Sequence, residues 1–103
     1  MTGEKILFKI LLTVEAKENL HNLEKNKSYK KRYNAVKKAL KHLSENPRYP
    51  GLQTHHFSSL SGPNGEKIFE AYAEQNTPAA YRIFWFYGPK SRTITVVAII
   101  SHP

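Results

Sequence analysis

The stretch QTHHFSSL, residues 53 to 60, sets two of the chain's five histidines side by side. Imidazole suits proton transfer near neutral pH, because its reference pKa of about 6.5 lets it take either state. Adjacent side chains on an extended backbone point to opposite sides, so at most one of His55 and His56 meets a given ligand. A second chemical group stands in AYRIFWFY, where Arg82 interrupts an apolar run. A guanidinium buried without a partner is costly, whereas one facing a ligand can grip two phosphate oxygens at once. A further imidazole, His102, is the second-last residue. RNA cleavage without a metal needs a base for the 2′-OH proton, a cation for the charge on the phosphorane and an acid for the 5′-oxygen, and imidazoles with a guanidinium meet those needs. The plainer reading of each histidine is a surface or hydrogen-bonding residue, or for His102 a chain end. Zinc is not expected at His55, His56 and His102, because no His-x-x-x-His spacing occurs, cysteine is absent and carboxylates are few. No cofactor is required.

These groups must be positioned by the elements around them. KILFKILL, residues 5 to 12, carries Ile6, Phe8, Ile10 and Leu12 on one face and reads as a strand. Thr13 is placed to cap a helix in which Ala16, Leu20 and Leu23 recur at helical spacing, with Glu15 and Glu18 in the first turn. After a tight turn at Asn26 and Lys27, Ser28 is the expected cap of a second helix, striped by Tyr29, Tyr33, Val36, Leu40 and Leu43. That helix should stop at Asn46, because Pro47 disfavours helical geometry before it. From Pro47 to Gly65 the chain shows little periodicity and reads as a long irregular connection, the kind that carries function. Three apolar segments follow, Lys67 to Glu74, Ala80 to Tyr87 and Thr93 to Ser101, with Gly62-Pro-Asn-Gly65 and the stretch from Gly88 to Arg92 as turns. The expected fold is α+β: an N-terminal strand and a two-helix hairpin on a mainly antiparallel sheet of about four strands, in the order β-α-α-β-β-β.

At 103 residues the chain fits one domain, residues 1–103. No segment approaches the roughly 20 apolar residues of a membrane span. The N-terminus lacks a cleavage pattern, so neither a signal peptide nor a membrane is expected. Together with the absence of cysteine this favours a cytoplasmic protein. Sixteen Lys and Arg oppose eight acidic residues for a formal charge of +8. Such a surplus favours a polyanionic partner, nucleic acid first, because neutralised phosphates release their counterions. A merely solubilising surface is the alternative. Lys37, Lys38 and Lys41 lie off the apolar stripe of the second helix and are candidate RNA contacts, as are Lys67 and the ring of Tyr81. Tyr72 and Trp85 also offer stacking surfaces, although most such rings are core.

The order of elements, AYRIFWFY, ITVVAIISHP and LSGPNGEKIFEAYAE together resemble the RelE/ParE superfamily of bacterial toxins from type II toxin-antitoxin systems, over essentially the whole chain. The resemblance implies one of two activities: messenger RNA cleavage, commonly on the ribosome, as in RelE-like members, or inhibition of DNA gyrase, as in ParE-like members. In the nuclease branch it implies Arg82 as the phosphate anchor and His102 as the acid, with His56 or His55 as the base. YoeB-like members use a carboxylate as base, and the connection from Pro47 to Gly65 offers no matching Asp or Glu. The implied partners are messenger RNA with the ribosome and a cognate antitoxin. The leading expectation is a metal-independent endoribonuclease. The alternatives are a ParE-like gyrase inhibitor and a basic RNA-binding domain without nuclease activity.

Overall fold

The structure is a computed structural model that describes residues 7–75 and 77–101. The chain begins with strand β1 (Lys9–Leu12), followed by helices α1 (Val14–Lys25) and α2 (Lys30–Glu45) and by strands β2 (His55–Ser61), β3 (Lys67–Tyr72), β4 (Tyr81–Tyr87) and β5 (Thr93–Ser101). The first part of the expected N-terminal strand, Lys5 and Ile6, lies outside the described residues.

Thr13 ends β1 and starts α1. Its hydroxyl accepts from the Ala16 N–H at 3.1 Å and donates to the Val97 carbonyl at 3.0 Å, so a single side chain caps the helix and ties it to β5. The start of α2 differs from expectation. Asn26, not Ser28, is the capping side chain, accepting from Ser28 N–H at 3.0 Å to open one 3₁₀ turn, Lys27–Tyr29, from which α2 continues. An Asn side chain reaching two residues ahead makes this turn more readily than Ser. Asn46 ends α2 as expected, with its N–H on the His42 carbonyl.

The sheet has five strands in the order β1-β5-β4-β3-β2, with β1 parallel to β5 and the other neighbours antiparallel. The fifth is β2, which occupies the stretch read from sequence as irregular. It is an edge strand, exposed along most of its length and shifted in register between His56 and Ser61, so it lacks the apolar alternation that announces a half-buried strand. The turn into β3 closes with Gly62 N–H on the Glu66 carbonyl, and Gly65 takes φ +81°, where glycine is unstrained.

Alternation along β3 and β4 assigns the two faces. Ala71, Ile83 and Trp85 join Ala16, Leu23, Val36, Ala39 and Leu43 in the main core, so both helices cover one face of the sheet. Ile68, Phe84 and Phe86 form a smaller cluster on the other face with Phe57, Val97 and Ala98. That second face has no helix over it among the described residues. No described helix is long and apolar enough to cross a membrane.

Candidate catalytic cluster on the open sheet face

Neighbouring strands bring together residues far apart in sequence. The register pairs His55 with Glu70 and Tyr72 with Arg82, and directly paired residues share a face. Glu70 and Arg82 alternate with core residues of β3 and β4, and both therefore project onto the open face.

Glu70 is the centre of the cluster. Its carboxylate is 3% exposed, with one oxygen 2.7 Å from Arg82 Nη1 and the other 2.7 Å from His55 Nε2. A buried carboxylate is tolerated because both oxygens are charge-assisted acceptors. Arg82 lies with its guanidinium carbon 4.5 Å from the Tyr72 ring centroid, a cation–π contact. Its Nε–H is buried and has no hydrogen-bond partner. His55 stands edge-on to Tyr72, ring centroids 5.8 Å apart, with Nδ1 2.9 Å from the Gln53 carbonyl. Both ring nitrogens thus face oxygen acceptors. The contacts are complete only with a proton on each nitrogen, or with Glu70 supplying one of them. Beside Arg82 and Tyr72 opens a cleft of about 410 Å³, also lined by Gln53, Glu74, Gln75 and the stretch from Thr77 to Ala80.

Arranged so, the cluster offers a fixed cation with an unmet donor, an imidazole oriented by a carboxylate and a polar cleft beside them. Among the described residues no group of three or more His, Asp or Glu side chains is placed to hold a metal.

The sequence matches no family model and no curated relative. Solved structures do match. A YoeB/ParE toxin from Agrobacterium tumefaciens superposes with a TM-score of 0.66 at 8% identity, covering 92% of this chain and 99% of that one. The archaeal RelE–RelB complex from Pyrococcus horikoshii OT3 gives 0.62 at 14% identity, with 92% and 94% covered. A YoeB dimer from Staphylococcus aureus gives 0.59 at 12% identity, with 93% and 98% covered. The chain has the RelE/ParE toxin fold.

Within this RelE/ParE fold the residues singled out from sequence separate into groups. His55 and Arg82 are brought together through Glu70. His56 points to the helix-covered side, its ring 6.0 Å from that of Phe69. Tyr81 also lies on that side, against the main core and 5.9 Å from the Arg32 guanidinium, and burial raises its hydroxyl pKa. Lys37, Lys38 and Lys41 are exposed on α2, across the sheet from Glu70, and Lys67 is exposed at the other end of β3 from Tyr72. Trp85 is fully buried. His102 lies outside the described residues.

Glu70 itself was not among the sequence candidates. The signal for it existed, since a carboxylate in an apolar alternating strand and a lone Arg in the next strand invite cross-strand pairing. Reading it needed the register.

Proposed function

We propose that this chain is a RelE-like toxin, a metal-independent endoribonuclease that cleaves messenger RNA on the ribosome and is neutralised by a cognate antitoxin. The observation that carries the reading is the Arg82–Glu70–His55 chain of hydrogen bonds on the open sheet face. The RelE/ParE fold supports it, and the neighbour described as a RelE–RelB complex supports a protein partner.

Arg82 anchors the scissile phosphate through the accessible part of its guanidinium. His55 is the base, acting through Nδ1. When that nitrogen loses its proton, its lone pair opposes the Gln53 carbonyl lone pairs, and the 2′-OH of the substrate takes the carbonyl's place as the better neighbour. Glu70 accepts Nε2–H throughout, fixes the tautomer and stabilises the imidazolium that forms. The 2′-oxygen then bonds to phosphorus, the P–O5′ bond breaks and the leaving 5′-oxygen takes a proton from His102. The products are a 2′,3′-cyclic phosphate and a 5′-hydroxyl. His56 has no part in this scheme.

The test is incubation of the purified chain with ribosomes and a defined message in the presence of EDTA. Cleavage with cyclic-phosphate ends, slowed in Arg82→Lys and lost in His55→Ala, is the expected result. An intact message under these conditions, with supercoiling by purified gyrase inhibited instead, would sink the nuclease reading and install the ParE-like one.

A further inference from the structure

On the helix-covered side of the sheet α2 stops at Glu45, and the chain runs through a 3₁₀ turn, Pro50–Leu52, to reach β2. Beneath this segment lies a cavity of about 290 Å³, separate from the cleft at Arg82. Its floor is aromatic: Phe69 stacks on Trp85 with centroids 5.0 Å apart, and Tyr87 meets both rings edge-on at 5.7 and 4.8 Å. Across from them Tyr49 is stacked on His42, 4.1 Å apart and within 5° of parallel, so its ring is held in one orientation. Arg48 stands at the rim.

Two features say that this cavity is more than a gap in packing. Trp85 lines it and carries an indole N–H that is buried without a hydrogen-bond partner. A buried donor left unmet costs free energy, and a ligand whose entry uncovers it can supply the acceptor. In addition, the cavity reaches the cluster on the other face. His55 and Gln53 line it, and Gln53 also lines the cleft beside Arg82.

We infer that this cavity is a nucleobase subsite, receiving the base next to the bond that His55 and Arg82 act on. A base has two flat faces for Tyr49 and the aromatic floor, ring and carbonyl acceptors for the Trp85 N–H, and a phosphate that Arg48 attracts at the mouth. An acyl chain would leave the indole donor unmet and give Arg48 no role. Gln53, just before β2, lines both sites, which makes the subsite a determinant of where the RNA is cut. This rests on the nuclease reading, which alone makes the neighbouring bond the scissile one.

Trp85 is the chain's only tryptophan, so the intrinsic fluorescence of the unmodified protein reports on the cavity. Titration with the four nucleoside 3′-monophosphates should give a saturable change, at least about tenfold tighter for the preferred base than for ribose 5-phosphate. Tyr49→Ala and Arg48→Ala should each weaken it about tenfold or more. Both positions are exposed, and circular dichroism with a thermal melt verifies that the variants are folded. In the cleavage assay Tyr49→Ala should flatten the base preference, whereas Arg82→Lys should slow every sequence and keep the preference. The subsite is overturned if no nucleotide gives a saturable change, if ribose 5-phosphate binds as well, or if an aromatic peptide competes while nucleotides do not. Cleavage with unaltered preference in Tyr49→Ala removes the subsite and leaves the nuclease; saturable nucleotide binding by a chain that never cuts RNA removes the nuclease and leaves a nucleotide site.

Discussion

Glu70 gives one oxygen to a cation that cannot lose its charge and the other to an imidazole that can, so its two partners are unequal. Arg82→Ala leaves a carboxylate buried beside His55 alone and should destabilise the fold by about 3 kcal/mol, read by urea denaturation. Adding Glu70→Gln removes the stranded charge, so the double variant should be more stable than Arg82→Ala, and its cost should fall short of the sum of the singles. Strictly additive costs would mean that the pair is not coupled. Arg82 is therefore unsuitable as a purely catalytic knockout, and Arg82→Lys, which keeps the charge but not the fork, separates the roles better. The imidazoles divide more cleanly. His55 touches Glu70 while His56 faces Phe69, so His55→Ala should slow cleavage at least about tenfold more than His56→Ala, roughly 1.4 kcal/mol of barrier. Equal, small effects at both positions would return the pair to a structural role.

Among the elements, those with a local chemical signal were legible. The expected last strand matches β5, Thr93–Ser101, because a run of β-branched residues between a turn and the chain end has no competing reading. Thr13 and Asn46 bound their helices as expected, since capping and the residue before proline act within a few positions. Where a long-range partner decides, the signal failed. Strand β2 exists because β3 offers it a ladder, and the Glu70–Arg82 contact exists because register sets Tyr72 opposite Arg82. Of the cluster, Arg82 and, as one of two adjacent histidines, His55 were therefore readable, and the carboxylate joining them was not. Capping makes a direct comparison possible. Thr13→Ala should cost about 1–2 kcal/mol in a thermal or urea melt, because it releases both a helix N–H and a tie to β5, whereas Ser28→Ala should be nearly neutral. The turn into β3 carries a pH dependence. Hydrogen bonds from the backbone N–H groups of Asn64 and of Glu66 itself hold the Glu66 carboxyl below its ordinary range. A depressed folded-state pKa means that the contribution is present above the unfolded value, about 4.3 for Glu, and is lost as pH falls through the folded one. Glu66→Gln should therefore be less stable than wild type at pH 7, with the difference closing on acidification below about pH 4.

For the whole molecule the question is where its surplus of positive charge lies relative to the cluster. Lys37, Lys38 and Lys41 stand on the outer side of α2, and the sheet separates them from Glu70. A short oligonucleotide that spans only the cluster and its cleft should keep its salt dependence when these three are changed to Gln, each phosphate it does contact contributing a slope of about −0.7 in log affinity against log salt. A partner large enough to wrap the molecule, such as the ribosome, should lose affinity on the same change. A flattened slope for the short oligonucleotide would place its path over α2 and away from the open face.

The anion that rests on Arg82 is the protein's own. Glu70 is a tethered competitor whose effective concentration no small free anion reaches, so inorganic phosphate or sulfate should inhibit poorly even in millimolar excess. On the nuclease reading a phosphodiester would displace it only when flanking contacts hold the strand in place, which would make the internal ion pair a threshold against short, loosely held anions.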